Sequence, residues 1–177
     1  GLLVPNKEDG VPMLNTPAIP PGGFHDYEFE LKHAGTYWYH SHVGLQEQRG
    51  VYGGIVVEPA EADPNEPAFE REHVVLLSDW TNEHPDEVMR TLRRGDEWYA
   101  IRKGNQQSLW GAHRAGMLGD YLWNQWANMP PMDISDVAYD AFWANGTPRT
   151  QLAGAAGERV KLRLINAGAA TNFYVNS

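Results

Sequence analysis

The chain contains no cysteine among its 177 residues. Within this sequence, that absence excludes disulfide bonds, thiolate metal ligands and cysteine nucleophiles. Basic residues are also scarce, since 14 lysines and arginines stand against 23 acidic residues and the formal net charge is −9. A protein that binds nucleic-acid phosphates needs the opposite balance, so we expect no nucleic-acid partner. No apolar run approaches the roughly 20 residues that cross a bilayer, and we expect no membrane span.

Short segments with alternating polarity follow a proline- and glycine-rich start. In residues 26–32 the aromatic and aliphatic side chains share one face and the acidic side chains share the other. This period of two predicts a half-buried strand. Residues 36–42 continue the same alternation, and residues 51–59 predict a third strand that ends at Pro59.

The second part of the chain combines strand and helix patterns. Residues 73–80 are apolar and predict a buried strand, and residues 137–146 and 158–168 return to strand spacing. Residues 85–94 predict a helix, with proline first, acids early, arginines late and Gly95 as the stop. Residues 105–127 are aromatic and predict a partly helical insertion.

Together these patterns predict an all-β fold, an antiparallel β-sandwich in two units with one helical insertion. Residues 60–72 are rich in proline and acids and have little apolar surface to bury. We therefore interpret them as a linker, which gives a first unit at 1–59 and a second at 73–177.

Two histidines stand one residue apart in the second alternating segment, at His40 and His42. Residues i and i+2 of a strand lie on the same face with Cα atoms about 6.6 to 7 Å apart, so Trp38 shares this face. Imidazoles at that spacing suit two metal ions roughly 3.5 to 4 Å apart better than a single ion. Neutral imidazole is a good ligand for copper, zinc, iron or nickel, and the remaining ligands must come from elsewhere.

A plainer interpretation of the pair stays open at this point. Two histidines on a strand are often polar residues of a solvent-facing surface. The other five histidines have no ligand spacing, and we expect them to be structural or surface residues: His25, His33, His73, His84 and His113. A hydrolase site is not expected, because Ser41 points to the opposite strand face from both neighbouring histidines.

The wider segment GTYWYHSHVGLQEQRGVYGGIVVEP is more specific than the histidine pair alone. It resembles the end of the first cupredoxin domain of multicopper oxidases, especially the bacterial copper-resistance protein A and laccase-like branch. Downstream, LLSDWTNEHPDEVMRTL and ERVKLRLINAGAATNFYV resemble the opening of the second domain of that family. The resemblance implies a cupredoxin-like Greek-key β-sandwich, with residues 1–59 from the first domain and 73–177 from the second.

The resemblance also implies roles for three residues. The family's equivalents of His40 and His42 each bind one copper of a type 3 pair, within a three-copper cluster that reduces dioxygen to water. The segment GLLVPNKEDGVP resembles the stretch after the family's first His-Trp-His-Gly motif, which puts Asp9 at an acidic position near the cluster. A carboxylate there would deliver protons during oxygen reduction. From the residues alone, Asp-Gly-Val-Pro is simply a favourable turn.

This sequence departs from the family pattern in ways that matter for function. Without cysteine it cannot form a type 1 copper site, and it supplies only two of the cluster imidazoles, so the type 1 and type 2 ligands are expected outside this segment. We therefore expect an internal fragment of a longer oxidase, whose partners are a small-molecule reductant, O2 and the remainder of the chain. The resemblance implies a periplasmic or secreted protein.

Two other function classes remain open. One is a non-catalytic copper-binding module of cupredoxin type, in which thioethers hold cuprous ion, with five candidate ligands in Met13, Met89, Met117, Met129 and Met132. The other is a structural β-sandwich whose histidines bind nothing. For the oxidase itself, the reductant is open between phenols, aromatic amines and cuprous ion.

Overall fold

The computed structural model describes residues 1–94, 98–127 and 137–176. The chain forms two compact units, which are described separately below. The first unit consists of Gly1–Ser78, Phe142–Ala169 and Phe173–Ser177. The second unit consists of Asp79–Ala141 and Ala170–Asn172.

The first unit contains a two-stranded antiparallel sheet. Strand β1 is Gly35–His40 and strand β2 is Tyr52–Val57. Their register runs from Gly35 opposite Val57 to His40 opposite Tyr52. Two of the three strands predicted for residues 26–59 are therefore confirmed, although β1 ends at His40 rather than at residue 42.

The prediction of a strand over residues 26–32 is wrong. The structure gives this segment no strand or helix, and most of its side chains are exposed. Alternation of polar and apolar residues indicates which face of an extended chain would be buried, but a strand also needs a hydrogen-bonded neighbour. Periodicity carries no information about that neighbour.

A three-stranded sheet in the order β4-β3-β5 also contributes to the first unit. Its strands are β3, Arg71–Trp80; β4, Ala141–Ala144; and β5, Val160–Asn166. Strands β3 and β5 pair in parallel, so the prediction of a purely antiparallel fold is wrong at this pair. A parallel pair needs a long crossover, and residues 81–159 supply one.

The core of the first unit lies between these two sheets. Leu76, Ile165 and Ala167 of the three-stranded side are buried. Three half-buried side chains pack against them, Trp38 and Tyr52 from the two-stranded sheet and Val74 from β3. Side chains from the two sheets thus share one core, as in a β-sandwich. The Greek-key connectivity stays a prediction.

Arg163 ties the two sheets together through polar contacts. Its Nε donates to Glu72 Oε1 at 2.6 Å, and its Nη1 donates to Thr36 Oγ1 at 3.0 Å. The side chain of Arg163 is only 10% exposed, so these contacts are partly shielded from water. The hydrogen bond from Arg163 holds the pKa of the Glu72 carboxyl below its ordinary value.

The second unit carries the helices. Four short helices are present in the described residues: α1, Pro85–Arg94; α2, Trp98–Arg102; α3, Leu109–Arg114; and α4, Leu118–Trp126. Helix α1 confirms the prediction for residues 85–94, and α3 and α4 confirm the partly helical insertion. No helix in the described part of the chain has the length and apolarity to cross a membrane. Gly95, Met129 and Met132 lie outside the described residues.

A small buried cluster and a charged network hold the second unit together. Val88, Tyr99, Val137 and Ala138 form the buried cluster. The Tyr99 hydroxyl donates to Glu83 Oε2 at 2.8 Å, and the Arg102 guanidinium bridges Glu83 and Asp140. Burial, followed by the neighbouring Glu83 carboxylate, raises the pKa of Tyr99 to about 12.

We predict that Arg163→Ala lowers the free energy of unfolding by about 2 kcal/mol, because it removes hydrogen bonds to a charged group. Equilibrium urea unfolding measures the change. Arg159→Ala is the matched control, since the Arg159 side chain is 64% exposed and its ion pair with Glu70 is long, at 3.6 Å. We expect the control to lose less than about 1 kcal/mol. Equal losses in the two variants would contradict the role given to Arg163.

We predict that ionisation of Tyr99 lowers the free energy of unfolding at high pH. In the unfolded chain a tyrosine ionises near pH 10, whereas folded Tyr99 keeps its proton until about pH 12. Its contribution is therefore complete below pH 10 and falls as the pH rises towards 12. Urea unfolding at several alkaline pH values should show a shallower decline for Tyr99→Phe than for the unmodified protein. Equal declines in the two proteins would contradict this role of Tyr99.

Candidate metal centre

The two sequence-predicted histidines are brought together at the end of β1. The ring centroids of His40 and His42 lie 4.7 Å apart with an angle of 48° between the ring planes. His40 is the last residue of the strand, and His42 lies two residues beyond it. The shared face predicted from strand periodicity therefore persists past the last ladder pair. The two rings therefore lie next to each other at the end of β1.

The loop that connects β1 to β2 is closed by its own hydrogen bonds. Ser41 N donates to Val51 O at 3.0 Å. The Ser41 hydroxyl donates to Gln46 Oε1 at 2.7 Å and accepts from Val43 N at 3.1 Å. Both bonds of the hydroxyl lie within the loop, which agrees with the expectation that Ser41 is not a nucleophile.

Trp38 forms one wall of the histidine site. Its ring stacks on the His40 ring with centroids 4.5 Å apart and planes inclined by 21°. The same side chain packs against the buried core of the first unit, as expected for a packing residue. His40 is half-buried, whereas His42 is exposed.

Hydrogen bonding assigns the tautomer of His40. Its Nδ1 lies 2.9 Å from Glu47 Oε2 and 3.3 Å from Ser41 O. A carboxylate and a backbone carbonyl only accept hydrogen bonds, so Nδ1 must carry the hydrogen. In the neutral ring the lone pair available to a metal is then on Nε2. Among the described residues, His42 has no hydrogen-bond or ion-pair partner.

Glu47 is a site residue that sequence reasoning missed. It begins a single turn of 3-10 helix, Glu47–Arg49, which ends at Gly50 in the left-handed region with φ of 89°. The sequence places Glu47 seven residues beyond His40, in a segment without strand or helix periodicity. Its approach to His40 depends on the turn that brings the chain back towards β1. The only available signal was the acidic residue within the Gln-Glu-Gln run.

Asp9 lies in an exposed turn. Its backbone N–H donates to Asn6 O at 3.4 Å, and within the described residues no hydrogen bond or ion pair joins its side chain to His40 or His42. The adjacent Glu8 is the more buried carboxylate, with a side chain 12% exposed. Its Oε2 is buried and has no hydrogen-bond partner in the described residues. In the described part of the chain, Asp9 is therefore exposed and not bonded to either histidine, and its role stays a prediction.

The remaining histidines bind locally or lie at the surface, as expected. His73 Nε2 is 2.8 Å from Ala153 O, and the exposed His84 is 3.4 Å from an Asp86 carboxylate oxygen. No group of three or more histidine, cysteine, aspartate or glutamate side chains that could hold a metal is found within residues 1–94, 98–127 and 137–176. Two imidazoles alone are too few ligands for a copper, zinc, iron or nickel ion.

Comparison with known proteins identifies the family. A family model described as multicopper oxidase matches residues 1–62, a range that includes β1, β2 and the loop with Glu47. The chain belongs to the multicopper oxidase family. The resemblance inferred from the histidine segment is thereby confirmed, and with it copper and oxidoreductase chemistry at the level of the family.

Curated relatives match almost the whole chain. Copper resistance protein A of Escherichia coli is 38% identical over 184 residues, which cover 99% of this chain and 30% of the relative. Copper resistance protein A of Pseudomonas syringae pv. tomato is 39% identical over 190 residues, with the same coverage of both chains. The multicopper oxidase MmcO of Mycobacterium tuberculosis is 30% identical over 182 residues, or 99% of this chain and 32% of that one.

The chain therefore spans about a third of the length of the curated relatives it matches. No solved structure matches it significantly. Among the described residues, His40 of the pair has polar partners at Nδ1, whereas His42 has none.

Proposed function

We propose that this chain is part of a copper-dependent oxidase in which His40 and His42 each bind one copper of a type 3 pair. The complete protein would couple one-electron oxidation of a small reductant to four-electron reduction of O2 to water. The observation that carries the proposal is the 4.7 Å separation of the two imidazole centroids, in a segment that the multicopper oxidase model matches.

The donor chemistry of the pair fits copper. Imidazole nitrogen is a suitable copper ligand, and the hydrogen on Nδ1 of His40 leaves Nε2 free to bind. Two ligands are too few for a cluster, and the exposed His42 needs further protein to cover it. We propose that the other ligands come from protein outside this segment. Copper, when bound, supplies the one-electron steps.

The neighbouring residues have roles that follow from their contacts. Trp38 covers one face of His40 and excludes water there, which favours a dry site. Asp9 is proposed to hold and pass a proton at its carboxylate, as the family resemblance implies. This role requires Asp9 to approach the cluster in the complete protein, since its turn is exposed in this chain.

The domain assignment is part of the same proposal. We infer that residues 1–59 belong to a first cupredoxin domain and residues 73–177 to a second, with 60–72 as the linker. The reductant is a phenol, an aromatic amine or cuprous ion. The relatives carry different names, which include copper resistance protein A, an L-ascorbate oxidase of Cucumis sativus and Laccase-2 of Cryptococcus neoformans. We propose a periplasmic or secreted location.

A second candidate is a copper-binding module without oxidase activity. The copper resistance relatives are named for resistance, which copper binding alone would provide. Of the methionines that would serve it, Met13 and Met117 are exposed on the described surface. Oxygen consumption with a phenol and with cuprous ion separates the two candidates, because only the oxidase consumes O2.

We predict that His40→Ala and His42→Ala each remove about one copper per molecule from the full-length protein that contains this segment, because each deletes one ligand. Oxygen consumption should fall by more than roughly 100-fold, beyond the range seen for residues that only support ligands. Copper content is measured by elemental analysis after dialysis, and O2 uptake with an electrode.

His84→Ala is the control, since it makes the same substitution at an exposed histidine of the second unit. It should keep both copper and activity. Retention of all copper by the His40 and His42 variants would refute the ligand roles and favour a structural sandwich. If the His40 and His42 variants lose copper but the unmodified protein takes up no O2, the binding module is favoured.

A further inference from the structure

Glu47 and His40 form a contact that the proposed copper ligation does not by itself require. Glu47 Oε2 lies 2.9 Å from His40 Nδ1. The other ring nitrogen, Nε2, is the one left free to bind a metal. The second acceptor of that nitrogen, Ser41 O, is farther away at 3.3 Å. The carboxylate oxygen is therefore the closer of the two, and its negative charge favours a hydrogen on Nδ1.

The loop holds this carboxylate in a defined place. Glu47 opens a turn in which Gly50 N donates to Glu47 O at 2.9 Å, and Val51 N donates to Gln46 O at 3.1 Å. The Ser41 hydroxyl binds Gln46, the residue directly before Glu47. Because Ser41 N also donates to Val51 O, the residues on both sides of the turn are bonded to Ser41, the residue after His40.

The His40 ring is consequently restrained in two independent ways. Trp38 stacks on its face, and at its edge Nδ1 lies 2.9 Å from the Glu47 carboxylate and 3.3 Å from Ser41 O. Stacking limits tilting of the ring, whereas two acceptor oxygens beside Nδ1 favour the tautomer with the hydrogen on that nitrogen. His42 has neither a stacked tryptophan nor a hydrogen-bond partner among the described residues. The two histidines of the pair are therefore unequal before any metal binds.

We propose that Glu47 is a positioning residue of the metal centre, which accepts the Nδ1 hydrogen of His40 and thereby keeps Nε2 as the free lone pair for copper. The inference rests on the proposed function, because it assumes that His40 is a ligand. It adds a residue that supports ligation without touching the metal. Carboxylate support of this kind raises the basicity of a ligating imidazole and fixes its orientation.

The first test needs no metal. In the metal-free full-length protein labelled with nitrogen-15 at histidine, the two nitrogen shifts of His40 report its tautomer at about pH 8, where an ordinary imidazole is neutral. His40→Ala assigns the signal by its disappearance. We expect the Nδ1–H form in the unmodified protein and in Glu47→Gln, whose amide oxygen accepts the same hydrogen bond. We expect a shift towards the Nε2–H form in Glu47→Ala.

The second test measures copper affinity by competition with a chelator. Glu47→Ala should weaken copper binding 10- to 100-fold, the usual cost of losing a partner of a ligating histidine. Glu47→Gln should lose less than about tenfold, because it keeps the hydrogen bond but not the charge. Glu61→Ala is the charge-matched control at an exposed position of the proposed linker, and it should bind copper normally.

The outcomes separate this inference from the proposed function. If His40→Ala loses copper while Glu47→Ala keeps both the tautomer and the affinity, the role of Glu47 is wrong and the ligand role of His40 stands. If His40→Ala retains all copper, the proposed function fails, and the inference fails with it. If Glu47→Ala only lowers the melting temperature of the metal-free protein and leaves the tautomer unchanged, Glu47 stabilises the loop, which also overturns the inference.

Discussion

The register between β1 and β2 determines the geometry of the whole histidine site. His40 pairs with Tyr52 at the last position of the ladder, and the Ser41–Val51 hydrogen bond closes the loop directly beyond it. A slip of one residue would turn every side chain of β1 to the other face, so that Trp38 would leave the buried core and His40 would turn away with it. Gly53 helps to fix the register, because a Cβ there would lie 2.6 Å from the Tyr39 ring.

The core of the first unit supports the site through one shared side chain. Trp38 contacts the buried cluster of Leu76 and Ile165 and also stacks on His40. Its position is therefore fixed by burial of apolar surface rather than by the histidine. Close packing supports this arrangement, since a Cβ at Gly54 would lie 2.9 Å from Ile165 Cδ1. A ligand that rests on a packed core side chain loses less conformational entropy when a metal binds.

Local sequence signals predicted those features that depend on local geometry. The side-by-side placement of His40 and His42 follows from the strand period, and helix α1 follows from its proline, its charge distribution and its capping pattern. The errors concern partners distant in sequence. Residues 26–32 have a strand pattern but no paired strand, and β3 pairs in parallel with β5 across a long crossover. Glu47 was missed for the same reason, because its approach to His40 depends on a turn whose path has no periodic signal.

The inequality of the two histidines has a physical consequence for assembly of the proposed copper pair. His40 is restrained before metal arrives, so binding there costs little ordering of the ring. The exposed His42 keeps its rotational freedom and must be ordered when the ligand set is completed. A site with one fixed and one free imidazole can admit a metal ion at the fixed ligand first and close around it afterwards. This order of binding requires that the protein outside this segment orders His42 without displacing the loop that carries Glu47.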